Sequence, residues 1–321
     1  MIYEIFIGLI SVLGLLIGAE LVIHNARIIA HKLRISDFFI GLTIFSIGTS
    51  LPEIATHIIA SIDILRGVDF QTMSGLAVGT NVGSNIIQIT LIIGIVAFFG
   101  VLKAKRKFLR VDYVMMLGSI LILFLFSLNG IISRLEGAIL FFLYVAYLIY
   151  LIIDEKIPKK LIASHLKEKD KFHLYISLVI IIAGLVILLL SADKIAELTL
   201  FFSAKYLISG SLLGTLIVGV STALPEFTTA IFALRKKSSG MSLGTLVGSN
   251  ITNPLMALGI GAMISTYSID KSILWYDIPF WFLTSLILLA IMWRTKTLTK
   301  KGGIFLILAY ILFVIVRIYL F

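Results

Sequence analysis

The sequence contains no cysteine and few charged residues. The absence of cysteine excludes disulfide bonds and metal sites built from thiolates. Lys, Arg, Asp and Glu make up only 14% of the 321 residues, whereas 60% are hydrophobic, and the charges lie between long apolar runs. This composition is far more apolar than that of a soluble domain, and it predicts a polytopic membrane protein.

Ten apolar runs are long enough to cross a membrane, since a helix needs about 20 apolar residues for a hydrocarbon core roughly 30 Å thick. They predict an all-α protein with ten transmembrane helices, at roughly 2–24, 38–62, 73–100, 109–128, 134–153, 173–192, 208–234, 241–265, 273–293 and 303–320. We interpret the first run as a retained helix rather than a signal peptide, because it continues into a basic amphipathic stretch without a small-residue cleavage site.

The net charge of +10 is distributed asymmetrically along the chain. If the N-terminus is external, most of the 27 Lys and Arg residues fall in predicted cytoplasmic loops, as the positive-inside rule requires. This distribution predicts a multi-pass protein of the cell membrane with both termini extracellular, and it argues against a nucleic-acid partner. The polar segment 154–172 is predicted to be a short cytoplasmic linker.

One polar segment occurs twice inside apolar runs. G-T-S-L-P-E occupies 48–53 and S-T-A-L-P-E occupies 221–226, an offset of 173 residues. An offset of 165 then superposes G-T-N-V-G-S-N-I at 79–86 on G-T-L-V-G-S-N-I at 244–251. The pattern predicts two five-helix repeats, 1–153 and 173–321. Because five is odd, the second repeat enters the membrane from the opposite side, and such inverted repeats are common among secondary transporters.

The repeated segments contain the candidate site. An ionisable residue in hydrocarbon costs at least about 2.5 kcal/mol, so the matching pair Glu53 and Glu226 predicts cation binding. Pro52 and Pro225 have no N–H and are expected to break their helices, which leaves carbonyl oxygens for an ion. Hydroxyl and amide groups on the same or neighbouring spans extend the candidate set: Thr49, Thr222, Ser84, Gln88, Ser249 and Asn253. Many flexible oxygen ligands favour Ca²⁺ over Mg²⁺ without excluding Mg²⁺.

His57 leaves a second mechanism open. It lies four residues after Glu53, on the same predicted helix face, and its repeat counterpart Ala230 has no polar group. A histidine beside a buried carboxylate can exchange protons near neutral pH, so His57 is a candidate for proton coupling. The alternative is a histidine that hydrogen-bonds a neighbouring helix or reaches the external interface.

The two motifs resemble the alpha repeats of the calcium/cation antiporter superfamily, and the chain is most similar to prokaryotic sodium/calcium exchangers. The resemblance extends from Gly14 through the tenth span, with the motifs at 41–94 and 214–259. It implies one set of cation sites in which Glu53 and Glu226 coordinate both Ca²⁺ and Na⁺. It also implies oxygen ligands from the side chains of Thr49, Ser50, Ser84, Thr222 and Ser249 and from the carbonyls of Ser46 and Gly219.

Three positions depart from the family pattern. Exchangers of this type usually have Asn at the position of Gln88, Asp at that of Asn253 and Ser at that of Ala223. Only two formal charges therefore remain at the predicted site. Two carboxylates neutralise one Ca²⁺, whereas three Na⁺ would leave an excess of one positive charge, so sodium coupling is less secure than calcium binding.

Sodium/calcium exchange by alternating access is the principal hypothesis, and antiport of protons against Ca²⁺ or another divalent cation is the alternative. A cation channel fits inverted repeats less well, because channel filters usually surround an axis along the pore. An enzyme is not expected, since the five histidines are scattered and no nucleophile and base occur together. The expected partners are Ca²⁺, Na⁺ or H⁺ and membrane lipid, with no cofactor, for a chain that can act as a monomer.

Overall fold

The computed structural model describes residues 2–157, 168–204 and 219–320, and most of these residues are helical. The helices are α1 Ile2–Leu33, α2 Asp37–Thr49, α3 Leu51–Leu65, α4 Phe70–Phe99, α5 Arg106–Ser127, α6 Arg134–Asp154, α7 Glu168–Ala204, α8 Gly219–Thr222, α9 Leu224–Arg235, α10 at 239–264, α11 Ile273–Thr295 and α12 Lys300–Leu320.

Seven of the described helices are long and apolar enough to cross a membrane, and the bent pair α2 and α3 gives an eighth candidate. The predicted span at 208–234 begins outside the described residues. The predicted span at 241–265 corresponds to α10, a long helix that is not among the seven. The protein is therefore a helical multi-pass membrane protein, while the number of ten spans stays a prediction.

Local signals in the sequence explain where several helices begin. Ser133 and Glu136 form a capping box at the start of α6, in which the Glu136 carboxylate accepts the Ser133 backbone N–H at 2.7 Å. Ser36 caps α2 by accepting the Phe39 N–H. The Ser36 hydroxyl and N–H each donate to the Glu155 carboxylate at 2.8 Å, so the residue that follows α6 holds the start of α2.

Two short strand pairs join the loops, and the sequence did not predict them. β1 Leu102–Lys103 pairs antiparallel with β4 Thr297–Leu298, and β2 Ile131–Ile132 pairs with β3 Tyr267–Ser268. Each strand has two residues, too few for a recognisable alternation of apolar and polar side chains. Both pairs connect a loop in the first half of the chain to a loop in the second half.

The core surrounds α4 and α10. The most apolar window of α4 is 78% buried, against 22% for α7, so α4 is central and α7 is peripheral. Helix α2 crosses α10 where two glycines meet: a methyl carbon added to Gly41 would lie 2.6 Å from the Met241 carbonyl oxygen and 2.8 Å from Gly244 Cα. Small residues at such crossings let helix backbones approach closely, and here they bring the two polar motifs together.

Candidate cation site

Both Pro-Glu segments lie at helix breaks of the same geometry. Helices α2 and α3 are bent by 42° at Ser50, which has φ −82° and ψ 5°. Helices α8 and α9 are separated by Ala223, with φ −82° and ψ −2°. In each case the proline stands in the first turn of the second helix, where its missing N–H is tolerated. The predicted breaks are confirmed, and each places a glutamate in the first turn of a helix.

The two glutamates are buried near each other. Glu53 is 1% exposed and Glu226 is fully buried, and the two carboxylates are close enough for an electrostatic interaction. Within the described ranges, neither carboxylate forms an ion pair with a basic residue. Buried carboxylates that have no basic partner are costly, so this pair fits a site that takes its positive charge from a ligand.

Hydroxyl groups from both halves of the chain surround the carboxylates. Thr222 and Ser84 lie beside the Glu53 carboxylate, while Thr49 and Ser249 lie beside that of Glu226. The Ser249 hydroxyl donates to Glu226 Oε1 at 3.3 Å. Each glutamate therefore has a threonine of the opposite half of the chain and a serine of its own half as neighbours. The structure thus brings the predicted glutamates, threonines and serines of both motifs to one centre.

Several of these oxygens have no hydrogen-bond partner among the described residues although they are buried. They are both carboxylate oxygens of Glu53, Glu226 Oε2, Ser50 Oγ and Asn253 Oδ1. Buried polar atoms are usually paired, so a group of unpaired oxygens in one place indicates a ligand that accepts their lone pairs. A hard cation such as Ca²⁺ or Na⁺ fits this donor set, which has no sulfur and no imidazole.

The two predicted carbonyl ligands already accept backbone hydrogen bonds. The Ser46 carbonyl accepts the Ser50 N–H at 3.1 Å, and the Gly219 carbonyl accepts the Ala223 N–H at 3.2 Å. A carbonyl oxygen has a second lone pair, so these contacts leave room for a cation. The Ser46 hydroxyl instead donates to the Leu42 carbonyl at 2.7 Å, within its own helix, and we do not count it among the ligands.

The two predicted amide ligands begin helix distortions at equivalent positions. Gln88 begins a π-helical turn in α4, Gln88–Ile92, and Asn253 begins one in α10, Asn253–Ala257. These turns are related by the same offset of 165 residues, and π-turns occur frequently at functional sites. The Gln88 oxygen accepts from Asn250 Nδ2 at 2.8 Å, whereas the Asn253 oxygen has no partner in the described chain. The two amides are thus not equivalent as ligands.

His57 is buried, and none of the contacts that its ring makes among the described residues is with a carboxylate. Its Nε2 lies 3.0 Å from Asn81 Nδ2, and its Nδ1 lies 3.3 Å from the Tyr267 hydroxyl. Asn81 Nδ2 also donates to the Asn253 carbonyl at 2.8 Å. His57 therefore belongs to the polar network behind the site. Asn81, Tyr267 and Trp281 were not among the residues predicted from the sequence. Tyr267 and Trp281 lie outside the repeated motifs, and Asn81 has the apolar Leu246 as its repeat counterpart.

Comparison with known proteins places the chain in one family. Residues 3–153 and 176–319 match the model of the family described as sodium/calcium exchanger protein. The sodium/calcium exchanger MaX1 of Methanosarcina acetivorans is 31% identical over 316 residues, covering 85% of this chain and 86% of that protein. The inner membrane protein YrbG of Escherichia coli is 28% identical, covering 79% and 78% of the two chains.

The fold is also found in a solved structure. The sodium-calcium exchanger NCX_Mj, soaked with Na⁺ and without Ca²⁺, superposes with a TM-score of 0.81 at 24% identity, covering 100% of this chain and 99% of that chain. At this identity the likeness concerns the fold. The family model and the curated relative together show that the chain belongs to the sodium/calcium exchanger family, within the calcium/cation antiporter superfamily.

Proposed function

We propose that the chain exchanges Na⁺ for Ca²⁺ across the cell membrane by alternating access to one site around Glu53 and Glu226. The observation that carries the proposal is the pair of buried carboxylates that have no basic partner in the described chain and are surrounded by hydroxyls from both halves. Family membership supports Ca²⁺ and Na⁺ as the transported ions. We extend the ligand set to Thr49, Thr222, Ser50, Ser84, Ser249 and Asn253, with the carbonyls of Ser46 and Gly219.

Electrostatics explains why such a site would exchange ions rather than leak them. Two carboxylates neutralise one Ca²⁺, and Na⁺ ions that enter the same oxygens replace that charge. A site without a cation would carry two unpaired negative charges through a medium of low dielectric constant, which is costly. Reorientation is therefore favoured only when the site is loaded, and outward movement of one ion type requires inward movement of the other.

The proposed architecture is a pair of inverted repeats, 1–153 and 173–321, joined by a cytoplasmic linker at 154–172, with both termini extracellular. The matching helix breaks at Ser50 and Ala223 and the matching π-turns at Gln88 and Asn253 support the repeat. Part of the linker, 158–167, lies outside the described residues. In inverted-repeat transporters the substrate site lies at the repeat interface near the membrane midplane, which is where we place Glu53 and Glu226.

Helices α1 and α7 are the proposed moving elements. They pack closely on each other, since a methyl carbon added to Gly18 would lie 2.8 Å from the Gly184 carbonyl oxygen. Both present long apolar exposed faces, and neither contributes a residue to the predicted ligand set. A pair of helices that slides as one unit past the remaining helices would open the site to each side in turn.

Calcium uptake into proteoliposomes tests the proposed function. Vesicles are loaded with Na⁺ and diluted into Na⁺-free buffer that contains Ca²⁺, at equal pH on both sides. We expect uptake that depends on internal Na⁺ and is abolished in Glu53→Gln and Glu226→Gln, while Asp63→Asn, which removes a carboxylate at the surface, retains it. Uptake driven by a pH gradient and indifferent to Na⁺ would replace this proposal with proton antiport.

A further inference from the structure

Two amide pairs cross between the repeats beside the proposed cation site. Asn253 Nδ2 donates to Asn85 Oδ1 at 3.1 Å, and Asn250 Nδ2 donates to Gln88 Oε1 at 2.8 Å. The offset of 165 residues relates Asn85 to Asn250 and Gln88 to Asn253. All four side chains are fully buried. The pairs therefore occupy equivalent positions, yet the direction of the hydrogen bond differs between them.

Trp281 fixes the pair formed by Asn250 and Gln88. Its indole Nε1–H donates to Asn250 Oδ1 at 2.9 Å. An indole N–H only donates, so the Asn250 oxygen must face Trp281 and the Asn250 nitrogen must face the other way. That nitrogen donates to the Leu246 carbonyl at 2.8 Å and to Gln88 Oε1. Gln88 consequently turns its oxygen to Asn250, and its buried Nε2 has no hydrogen-bond partner in the described ranges.

A ring of three asparagines fixes the pair formed by Asn253 and Asn85 in the opposite sense. The Asn253 backbone carbonyl, which only accepts, takes a hydrogen bond from Asn81 Nδ2 at 2.8 Å. Asn81 Oδ1 then accepts from Asn85 Nδ2 at 3.3 Å, and Asn85 Oδ1 accepts from Asn253 Nδ2. Asn253 Oδ1 is left without a partner in the described chain. His57 supports the ring because its Nε2 accepts from the same Asn81 nitrogen at 3.0 Å.

The difference between the two amide pairs follows from the sequence. The repeat counterpart of Asn81 is Leu246, and that of His57 is Ala230. The second repeat therefore cannot form the asparagine ring, and Trp281 orients Asn250 instead. Both amides stand one helical turn beyond the site serines, since Ser84 precedes Gln88 and Ser249 precedes Asn253 by four residues. Asn253 Nδ2 also lies 3.5 Å from Ser84 Oγ, which places this amide beside the Glu53 group.

We propose that Trp281 is a positioning residue that makes the cation site one-sided. Asn253 presents its side-chain oxygen and acts as a ligand. Asn250, oriented by Trp281, instead binds the side-chain oxygen of Gln88, so that the N–H₂ group of Gln88 is its free end. An amide nitrogen has no lone pair for a hard cation, so the Gln88 side chain does not coordinate Ca²⁺ or Na⁺. This inference rests on the proposed function, and it removes Gln88 from the predicted ligand set.

Cation binding to purified protein tests the inference with two variants of matched chemistry. Asn253→Leu and Gln88→Met each replace an amide by an apolar side chain of similar size. We expect Asn253→Leu to weaken Ca²⁺ binding by about tenfold or more, whereas Gln88→Met changes it by less than about threefold. Binding is measured by equilibrium dialysis with radioactive Ca²⁺. Equal losses in the two variants would show that both amides are ligands and would overturn the one-sided site.

Trp281→Phe tests the positioning role, because it keeps an aromatic ring and removes the N–H donor. With Asn250 released, Gln88 can turn its oxygen to the site, and we expect Ca²⁺ or Na⁺ affinity to change by about tenfold. The effect should disappear in the double variant Trp281→Phe/Gln88→Met, as expected of coupled residues. Trp275→Phe, at a tryptophan that is 61% exposed on the same helix, is the control. An unchanged affinity in folded Trp281→Phe, or the same change in the double variant, contradicts the role.

Titrations of the unmodified protein separate this inference from the proposed function. If it binds neither Ca²⁺ nor Na⁺, measured by dialysis and by the shift in thermal unfolding, both proposals fail. If it binds both ions but Gln88→Met and Asn253→Leu behave alike, only the one-sided site fails. A melting temperature for each variant without cation identifies a variant that does not fold, and Trp281→Phe, which keeps both amides, then decides the result.

Discussion

Lys236 Nζ lies 2.5 Å from Glu20 Oε1, and this ion pair joins the residue after α9 to the middle of α1. Glu20 is part of a helix that we propose to move, whereas Lys236 follows the helix that carries Glu226. The pair therefore links the proposed moving unit to the proposed cation site. Both side chains are more than one third exposed, so the pair contributes about 1 kcal/mol or less.

Breaking this ion pair should alter the transport rate without altering cation binding. In Lys236→Gln, the access state that contains the pair loses its stabilisation, and the balance between states shifts by up to about fivefold. Rates of Na⁺-driven Ca²⁺ uptake and Ca²⁺ affinity are measured together. The charge-exchanged variant Glu20→Lys/Lys236→Glu should recover the original rate, and failure to recover it would show that the pair does not act between states.

A buried ion pair between Asp277 and Arg317 should contribute to stability. Arg317 Nε lies 3.2 Å from Asp277 Oδ1, and both side chains are at most 2% exposed. Removing one partner of a buried pair leaves a charge uncompensated, at a cost of about 3–5 kcal/mol. Asp277→Asn should therefore lower the thermal unfolding temperature strongly, and Asp270→Asn, a half-buried neighbour, should change it little. Similar melting of both variants would contradict the assigned contribution.

His57 should act through its hydrogen bonds rather than by carrying protons. Its ring nitrogens contact Asn81 and Tyr267 and not a carboxylate. Glutamine offers an oxygen that can accept from Asn81, whereas leucine offers no acceptor. We expect the His57→Gln protein to retain Na⁺-driven Ca²⁺ uptake. The His57→Leu protein should unfold at a lower temperature and bind Ca²⁺ more weakly. A pH-gradient-driven flux that disappears in His57→Gln would instead support proton coupling.

The apolar runs predicted the helix positions closely, because the hydrophobic signal of a membrane span is strong. The main differences are at helix ends: α1 continues to Leu33 and α7 begins at Glu168, so both helices include polar residues beyond their apolar cores. The breaks at Ser50 and Ala223 were also predictable, since a proline has no N–H to continue the helical hydrogen bonds of the preceding turn. The glutamate pair followed from the repeat.

The orientation of the amides was not predictable from the sequence. Gln88 and Asn253 are equivalent in the repeat, and sequence reasoning treated both as ligands. Their difference depends on Trp281, which reaches Asn250 from another helix, and on Asn81, which reaches the Asn253 carbonyl. Such contacts depend on how helices pack across the repeats, and no spacing along one helix encodes them.

The residue at the break itself differs between the two segments, and this difference predicts an asymmetric effect on Na⁺ binding. Ser50 and Ala223 have nearly the same backbone angles, but only Ser50 carries a hydroxyl, and that buried hydroxyl has no hydrogen-bond partner among the described residues. A free hydroxyl beside two carboxylates is a suitable Na⁺ ligand. Its loss in Ser50→Ala should raise the Na⁺ concentration for half-maximal Ca²⁺ release by about tenfold.

Ala223→Ser tests the same idea from the opposite direction, because it adds the missing oxygen at the equivalent break. We expect Ala223→Ser to lower the Na⁺ concentration for half-maximal Ca²⁺ release, and the double variant Ser50→Ala/Ala223→Ser to lie between the single variants. The measurement is Na⁺-dependent release of Ca²⁺ from loaded proteoliposomes, with melting temperatures to verify folding. If Ser50→Ala leaves the Na⁺ dependence unchanged, Ser50 is not a Na⁺ ligand and the two breaks are functionally alike.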